Sequence, residues 1–192
     1  MDLNGNKLTE AKYNEIFSKL YDENYLVVKL NNKYGIINLN GNEICPPKYD
    51  DIYFQAENFF GVSINNKWGY IDKNGKEICP IKYDLVDEFD NGYAMIKLNN
   101  KYGFIDTNGK EICEIKYDKV FYFINGFAPV KLNNKWGFIN TNGAEICPIK
   151  YTWKEINNLN TKNLDKKYKL KLLFGKQKWN MMKYTNTQKD LQ

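Results

Sequence analysis

Four cysteines carry the most reactive side chains of this 192-residue sequence. Cys45, Cys79, Cys113 and Cys147 recur every 34 residues. Four thiolates can hold zinc tetrahedrally, but structural zinc sites use paired ligands a few residues apart. One thiol per 34 residues reads instead as a small buried hydrophobe, so no metal or cofactor is assigned. Neither histidine nor arginine occurs, and all 28 basic residues are lysines. Without histidine the commonest acid–base group near neutral pH is missing, together with every triad or metal site that uses it. Without arginine there is no bidentate fork for phosphates or base edges. The acidic pairs Asp50-Asp51 and Asp87-Glu88 read as loop acids with no partnered nucleophile. A non-enzymatic protein is expected.

Two chemistries remain open. Lysines recur in one row, Lys33, Lys67, Lys101 and Lys135, and in another, Lys48, Lys82, Lys116 and Lys150. Either row could contact a phosphate backbone. Charge is also uneven: residues 1–149 carry 17 Lys against 20 acids, and residues 150–192 carry 11 Lys against 3, so −3 and +8 give the overall +5. Lys162, Lys166, Lys167, Lys169, Lys171, Lys176 and Lys178 are therefore the candidate phosphate contacts. Lys and Asn are equally frequent, a bias that an AT-rich coding sequence also produces. The second chemistry is aromatic. Tyr34, Trp68, Tyr102 and Trp136 alternate with apolar residues and read as core. Tyr53, Phe54, Phe89, Phe121, Tyr122 and Phe123 lie between the repeated stretches, where repeat proteins usually differentiate their surface, and are the candidate partner-binding residues.

One stretch positions all of these. It reads NNKYGIIN at 31–38, NNKWGYID at 65–72, NNKYGFID at 99–106 and NNKWGFIN at 133–140. The paired asparagines tolerate the positive φ of a tight hairpin. The ring and the alternating apolar residues form the return strand. Asn-Gly turns come next, at 40–41, 74–75, 108–109 and 142–143, and lead into Glu-Ile-Cys. Pro46-Pro47, Pro80 and Pro148 are expected to stop that third strand, and Glu114 stands in their place in the third copy. Ile52-Tyr53-Phe54 reads as a short fourth strand at the edge of the first unit. The glycine after each ring lets a neighbouring chain approach closely. A meander this small buries too little alone, so neighbours must stack.

The expected architecture is all-β: 34-residue three-stranded β-meander repeats stacked as an open, twisted, solenoid-like array. A closed small β-propeller is the alternative. A repeat domain is expected over 1–151, with a partial unit at 1–24 and full units at about 25–58, 59–92, 93–126 and 127–151. In the partial unit, Lys12-Tyr13 and Ile16 match Lys48-Tyr49 and Ile52. Residues 152–192 form a basic C-terminal region, in which 165–183 is either a degenerate fifth repeat or a helical cap.

Lys67-Trp68-Gly69 and Lys135-Trp136-Gly137, with tyrosine variants at 34 and 102, together with the Asn-Gly turns and the Cys/Pro/Lys-Tyr segment, resemble the WG (KWG) repeats of bacteria. The resemblance covers about residues 3–151. It implies a β-rich tandem array, generally without an assigned enzyme activity. The expected function is a non-catalytic protein-binding module. The alternative is a basic protein that associates with nucleic acid and acts as an accessory or inhibitor of a nucleic-acid enzyme. No apolar run reaches the roughly 18 residues of a membrane span, and the N-terminus lacks the apolar core of a signal peptide. A cytoplasmic protein without membrane partners is expected.

Overall fold

The computed structural model describes residues 12–17, 24–55 and 59–157. Within them, Asn-Asn pairs at 31–32, 65–66, 99–100 and 133–134 turn the chain with φ between 49° and 62°. These are two-residue hairpins whose left-handed backbone matches the twist of the strands they join. The first joins β2 (Tyr25–Leu30) to β3 (Lys33–Asn38), with Val28 opposite Gly35 and Lys29 opposite Tyr34. The register is the same in β6 (Phe59–Ile64) with β7 (Lys67–Asp72), and in β13 (Phe127–Leu132) with β14 (Lys135–Asn140).

Each hairpin gains outer strands. The first sheet runs β1 (Glu15–Phe17), β2, β3, β4 (Glu43–Tyr49), and the second β5 (Asp51–Gln55), β6, β7, β8 (Glu77–Tyr83). The third holds β9 (Leu85–Asp90), β10 (Tyr93–Leu98) and β11 (Lys101–Asp106). The fourth holds β12 (Lys119–Val120), β13, β14 and β15 (Glu145–Tyr151), with α1 (Trp153–Asn157) after it. The tandem 34-residue β-repeats are as expected, and none of the four sheets closes into a barrel.

Strand allocation differs from the sequence reading. The segment at 51–55 does not end the first unit. It leads the second sheet, pairing with β6 through Ile52 opposite Val62. β1 leads the first sheet in the same way, with Ile16 opposite Val28. The prolines do not stop the third strand either. β4 runs through Pro46-Pro47 to Tyr49, and its register jumps from Ile36 opposite Cys45 to Tyr34 opposite Tyr49. Three residues of β4 thus bulge against the single Gly35. Proline fits this position because β4 is the outermost strand and needs no further ladder bond there. A Cβ on Gly35 would lie 2.7 Å from the Pro47 nitrogen and 2.8 Å from the Cys45 oxygen. The close approach inferred for this glycine is therefore a backbone-on-backbone contact. In the third repeat, where Glu114 replaces proline, the stretch 111–117 forms no continuous strand and is held by the bridge between Tyr102 and Tyr117 and by the Ile112 N–H, which donates to the Phe104 carbonyl at 3.0 Å.

Two compact units divide the chain, Met1–Asn100 with Ile105–Lys110 and Lys101–Phe104 with Glu111–Gln192. In the first, Val27, Ile36, Cys45 and Tyr49 of one sheet pack on Ile52, Phe60, Val62 and Ile71 of the next. In the second, Phe104 meets Phe123 at 4.7 Å between ring centroids, and Trp136, Phe138 and Cys147 form a further buried cluster. The 165–183 segment lies outside the described residues.

The bulge makes a graded prediction. A Cβ on Gly137 would meet the Cys147 oxygen at 2.6 Å and the Ile149 Cα at 2.9 Å, whereas at Gly103 the nearest atom is a side-chain carbon of Ile115 at 3.0 Å. Gly137→Ala is expected to destabilise the protein by about 2–3 kcal/mol and Gly103→Ala by less than about 1 kcal/mol. Urea unfolding of the two variants measures the difference.

Candidate functional site

A lysine, a carboxylate and a hairpin tip recur together in the described repeats. The Asp50 carboxylate accepts from Lys33 Nζ through Oδ1 and from the Asn65 backbone N–H through Oδ2, the latter at 2.6 Å. Asp84 joins Lys67 at 2.5 Å to the Asn99 N–H at 2.7 Å. Asp118 joins Lys101 at 2.6 Å to the Asn133 N–H at 2.7 Å. Each aspartate is also fixed by its own N–H, which donates to the carbonyl of Ser63, Lys97 or Lys131 at 2.8 Å. The local cause is the Lys-Tyr-Asp triplet at 48–50, 82–84 and 116–118, where the chain leaves one sheet and enters the next. In the first sheet the neutral Asn14 takes the role and accepts from the Asn31 N–H at 2.9 Å. Lys33, Lys67 and Lys101 are thus already engaged by carboxylates.

The second lysine row is engaged differently. Lys48, Lys82, Lys116 and Lys150 lie 5.0–5.8 Å from the ring centroids of Tyr49, Tyr83, Tyr117 and Tyr151. These cations rest on the aromatic faces of their neighbours in sequence.

The clasp is broken once. Residues 150–152 read Lys-Tyr-Thr, so Thr152 stands where the aspartates stand. Thr152 N–H donates to Glu155 Oε2 at 2.6 Å, and Glu155 N–H donates to Thr152 Oγ1 at 3.3 Å, a reciprocal cap that starts α1. The Thr152 N–H, and after it the hydroxyl, holds the Glu155 carboxyl below its ordinary pKa, and the positive charge of Lys135 adds to this. Lys135 is exposed and makes no ion pair among the described residues.

After β15, α1 lays Trp153 against the fourth sheet. Trp153 is 4.5 Å from Trp136 and 5.6 Å from Phe121, and Phe121 stacks on Trp136 at 5.6 Å. Lys119 Nζ sits 5.1 Å from the Phe121 centroid. The corresponding pair in the second sheet, Tyr53 and Trp68, is 5.2 Å apart, and its Tyr53 hydroxyl donates to the Val86 carbonyl of the third sheet. At the fourth sheet a single helical turn takes that place. The result is an aromatic patch, with Trp136 buried, Phe121 and Trp153 half-buried, and the exposed Lys119 at its rim.

The sequence-predicted residues are distributed unevenly. Phe121 and Tyr122 are half-buried at this patch or next to it. Tyr53 is half-buried across Gly61, where an added Cβ would collide with its ring. Phe89 and Phe123 are 3% exposed and lie inside, not on the surface, because Phe89 packs on Phe59 and Tyr70 and Phe123 on Phe104. Phe54 belongs to β5, and its side chain and all seven candidate tail lysines lie outside the described set. Of the acidic pairs only Asp50 lies between strands: Asp51 begins β5, and Asp87 and Glu88 lie in β9. Trp153 and Thr152 escaped the sequence reading, which set Lys135 only in a row with Lys33, Lys67 and Lys101. The signal was the change of the recurring Lys-Tyr-Asp to Lys-Tyr-Thr.

The thiols are packing groups. Cys45, Cys79 and Cys147 are buried and Cys113 is half-buried, and none of the four is in a disulfide. Burial raises Cys45 and Cys113 to about 11. Among the described residues no group of three His, Cys, Asp or Glu side chains is placed to hold a metal ion. No helix there is long and apolar enough to cross a membrane.

The sequence family described as "WG containing repeat" matches residues 1–34, 34–68, 68–102, 102–136 and 136–153, and the chain belongs to it. No curated protein matches the chain. Among solved structures it is similar to Hsv2p of Kluyveromyces lactis, at 16% identity and a TM-score of 0.38, over 72% of this chain and 51% of that one. It is also similar to a eukaryotic initiation factor, at 12% identity and a TM-score of 0.42, over 64% and 40%. A third is a Saccharomyces cerevisiae structure of Dbp5 bound to Nup159, Gle1, IP6 and ADP, at 14% identity and a TM-score of 0.39, over 79% and 47%. The chain spans about half the length of these structures or less.

The clasp predicts a pH dependence. Lys33, Lys67 and Lys101, foremost, and then the hairpin N–H groups, hold Asp50, Asp84 and Asp118 below the ordinary carboxylate pKa. A folded-state pKa below the unfolded one stabilises the fold above the ordinary carboxylate range, and that contribution disappears as pH falls through the folded values. Thermal unfolding is expected to show a declining midpoint on acidification. The triple variant Asp50→Asn, Asp84→Asn, Asp118→Asn is expected to have a lower midpoint at neutral pH and a shallower acid limb.

Proposed function

We propose that this WG-repeat protein is a non-catalytic protein-binding module whose partner docks on the face of the fourth sheet around Phe121, Tyr122, Lys135 and Trp153. The observation that carries the reading is the broken clasp. Lys33, Lys67 and Lys101 are each paired with an aspartate, whereas Lys135, next in sequence to the packed Trp136, is exposed with no ion pair among the described residues. A partner that offers a carboxylate to Lys135 and an apolar side chain to the rings would match both features. Aromatic anchors with a charged rim are the usual makings of a binding hot spot. In this reading residues 1–151 are the repeat domain and 152–192 a basic region of separate role, in a cytoplasmic and bacterial setting. Tyr53 and Phe54 would extend the contact surface.

A second reading rests on one observation, the net charge of +8 over residues 150–192. It assigns Lys162, Lys166, Lys167, Lys169, Lys171, Lys176 and Lys178 to phosphate contacts with RNA or DNA, in an accessory or inhibitory role.

Affinity capture from the native cell with the full chain, Lys135→Glu and Trp153→Ala separates the two. Loss of the same protein partner in both variants, with the unfolding midpoint of Lys135→Glu unchanged, supports the docking face. Equal capture by all three overturns it. Oligonucleotide binding that weakens steeply with salt, and disappears when Lys166, Lys167, Lys169 and Lys171 become Gln, favours the second reading.

A further inference from the structure

The Asn-Gly pairs differ sharply in what surrounds them, and that difference bears on their chemistry. In any Asn-Gly pair the glycine amide nitrogen can attack the asparagine side-chain carbonyl carbon. The new N–Cγ bond closes a succinimide, the Cγ–Nδ2 bond breaks, and ammonia leaves with the amide proton. Water then adds to one of the two ring carbonyls and opens the ring to aspartate or isoaspartate. Glycine favours the attack because it has no side chain to shield its nitrogen. The step needs a free glycine N–H and room for both residues to rotate.

The pairs at 74–75, 108–109 and 142–143 meet neither condition. The N–H groups of Gly75, Gly109 and Gly143 donate to the carbonyls of Asp72, Asp106 and Asn140 at 2.9 Å. The preceding N–H groups, of Asn74, Asn108 and Asn142, are also held, by the side-chain oxygens of the same three residues at 2.8–2.9 Å. Each glycine lies against the backbone of the preceding repeat, where an added Cβ would fall inside contact with the carbonyl oxygen of Ile44, Ile78 or Ile112. Rotation toward the attacking geometry drives the turn into that carbonyl.

The pairs at 91–92 and 125–126 lie at the tips of other hairpins. Asn91 and Asn125 are exposed, both with φ 54°. Nothing stands within 4 Å of a Cβ built on Gly92 or Gly126. The turn hydrogen bonds at 124–127 run between Ile124 and Phe127 and leave the Gly126 N–H out. The Asn91 side-chain amide donates to Asp90 Oδ1 at 2.9 Å, a contact that leaves its carbonyl carbon open to attack.

We propose that Asn91 and Asn125 are modification sites, where the chain deamidates itself through a succinimide, while the tertiary structure protects Asn74, Asn108 and Asn142; the pair at 40–41 shares the turn bonds of the protected pairs, with the Gly41 N–H donating to the Asn38 carbonyl at 2.9 Å. Aspartate at these positions adds a negative charge to the hairpin tip. Isoaspartate also inserts a methylene into a two-residue turn that pairs Asp90 with Tyr93 and Ile124 with Phe127.

The test is incubation of the full folded chain at mildly alkaline pH in 18O-labelled water, then peptide mapping for label uptake and for isoaspartate. Breaking one hydrogen bond before attack slows a step by about tenfold. Label is therefore expected to enter at Asn91 and Asn125 at least about tenfold faster than at Asn74, Asn108 and Asn142. The same incubation in concentrated denaturant should bring all five to similar rates. Comparable rates at all five sites in the folded chain would overturn the proposal. So would label at Asn74, Asn108 or Asn142 ahead of Asn91 and Asn125, or a tenfold gap that persists in denaturant.

Discussion

A carboxylate between two consecutive hairpins sets how one repeat meets the next. Asp50, Asp84 and Asp118 each take the lysine at the start of their own return strand and the backbone N–H at the tip of the following hairpin. An exposed ion pair alone contributes little net stability. A charge-assisted bond to a fixed backbone N–H adds direction, because only one register of the next hairpin presents that group. In strands with a period of two, a one-residue slip would exchange the buried and exposed faces. The clasp thus works with the apolar pattern: burial makes stacking favourable, and the carboxylate selects the register in which the sheets stack.

Close backbone approach is the second constraint. The bulge of β4 presses on Gly35, and the corresponding bulges press on Gly69 and Gly137. Proline in the bulge fixes φ and needs no donor partner, so the strand holds its extended path past the irregularity. The third repeat has glycine without proline, and its outer segment is not a continuous strand. The glycines of the second turns meet the carbonyl of the preceding repeat in the same close manner. The packed turns at Gly75, Gly109 and Gly143 are therefore tight, whereas the hairpins around Gly92 and Gly126 are open.

In the fourth sheet the recurring chemistry changes by one residue, and the local path of the chain changes with it. Thr152 makes a helix cap with Glu155, and the chain turns into α1 instead of entering another described strand. Trp153 comes down on Phe121 and Trp136, and Lys135 loses the carboxylate its counterparts have. One substitution thereby creates a surface that the other repeats lack.

The sequence alone determined the period, the hairpin asparagines, the inward Ile, Phe and Cys positions and the all-β class, because each depends on local backbone preference or on alternation along a single strand. It also located the glycine after each ring as a point of close approach. Tertiary structure decided the rest. That 51–55 leads the next sheet depends on which strand edge is open, and the prolines of β4 close the other one. That Phe89 and Phe123 are interior depends on neighbours in other strands, which no local pattern specifies. The clasp joins residues 15 and 17 positions apart through a turn in space, so the lysines looked like a free basic row until their aspartates were placed. Trp153 became part of a candidate site only through contacts of α1 with Trp136 of β14 and with Phe121, which follows β12, contacts that adjacency in sequence does not encode.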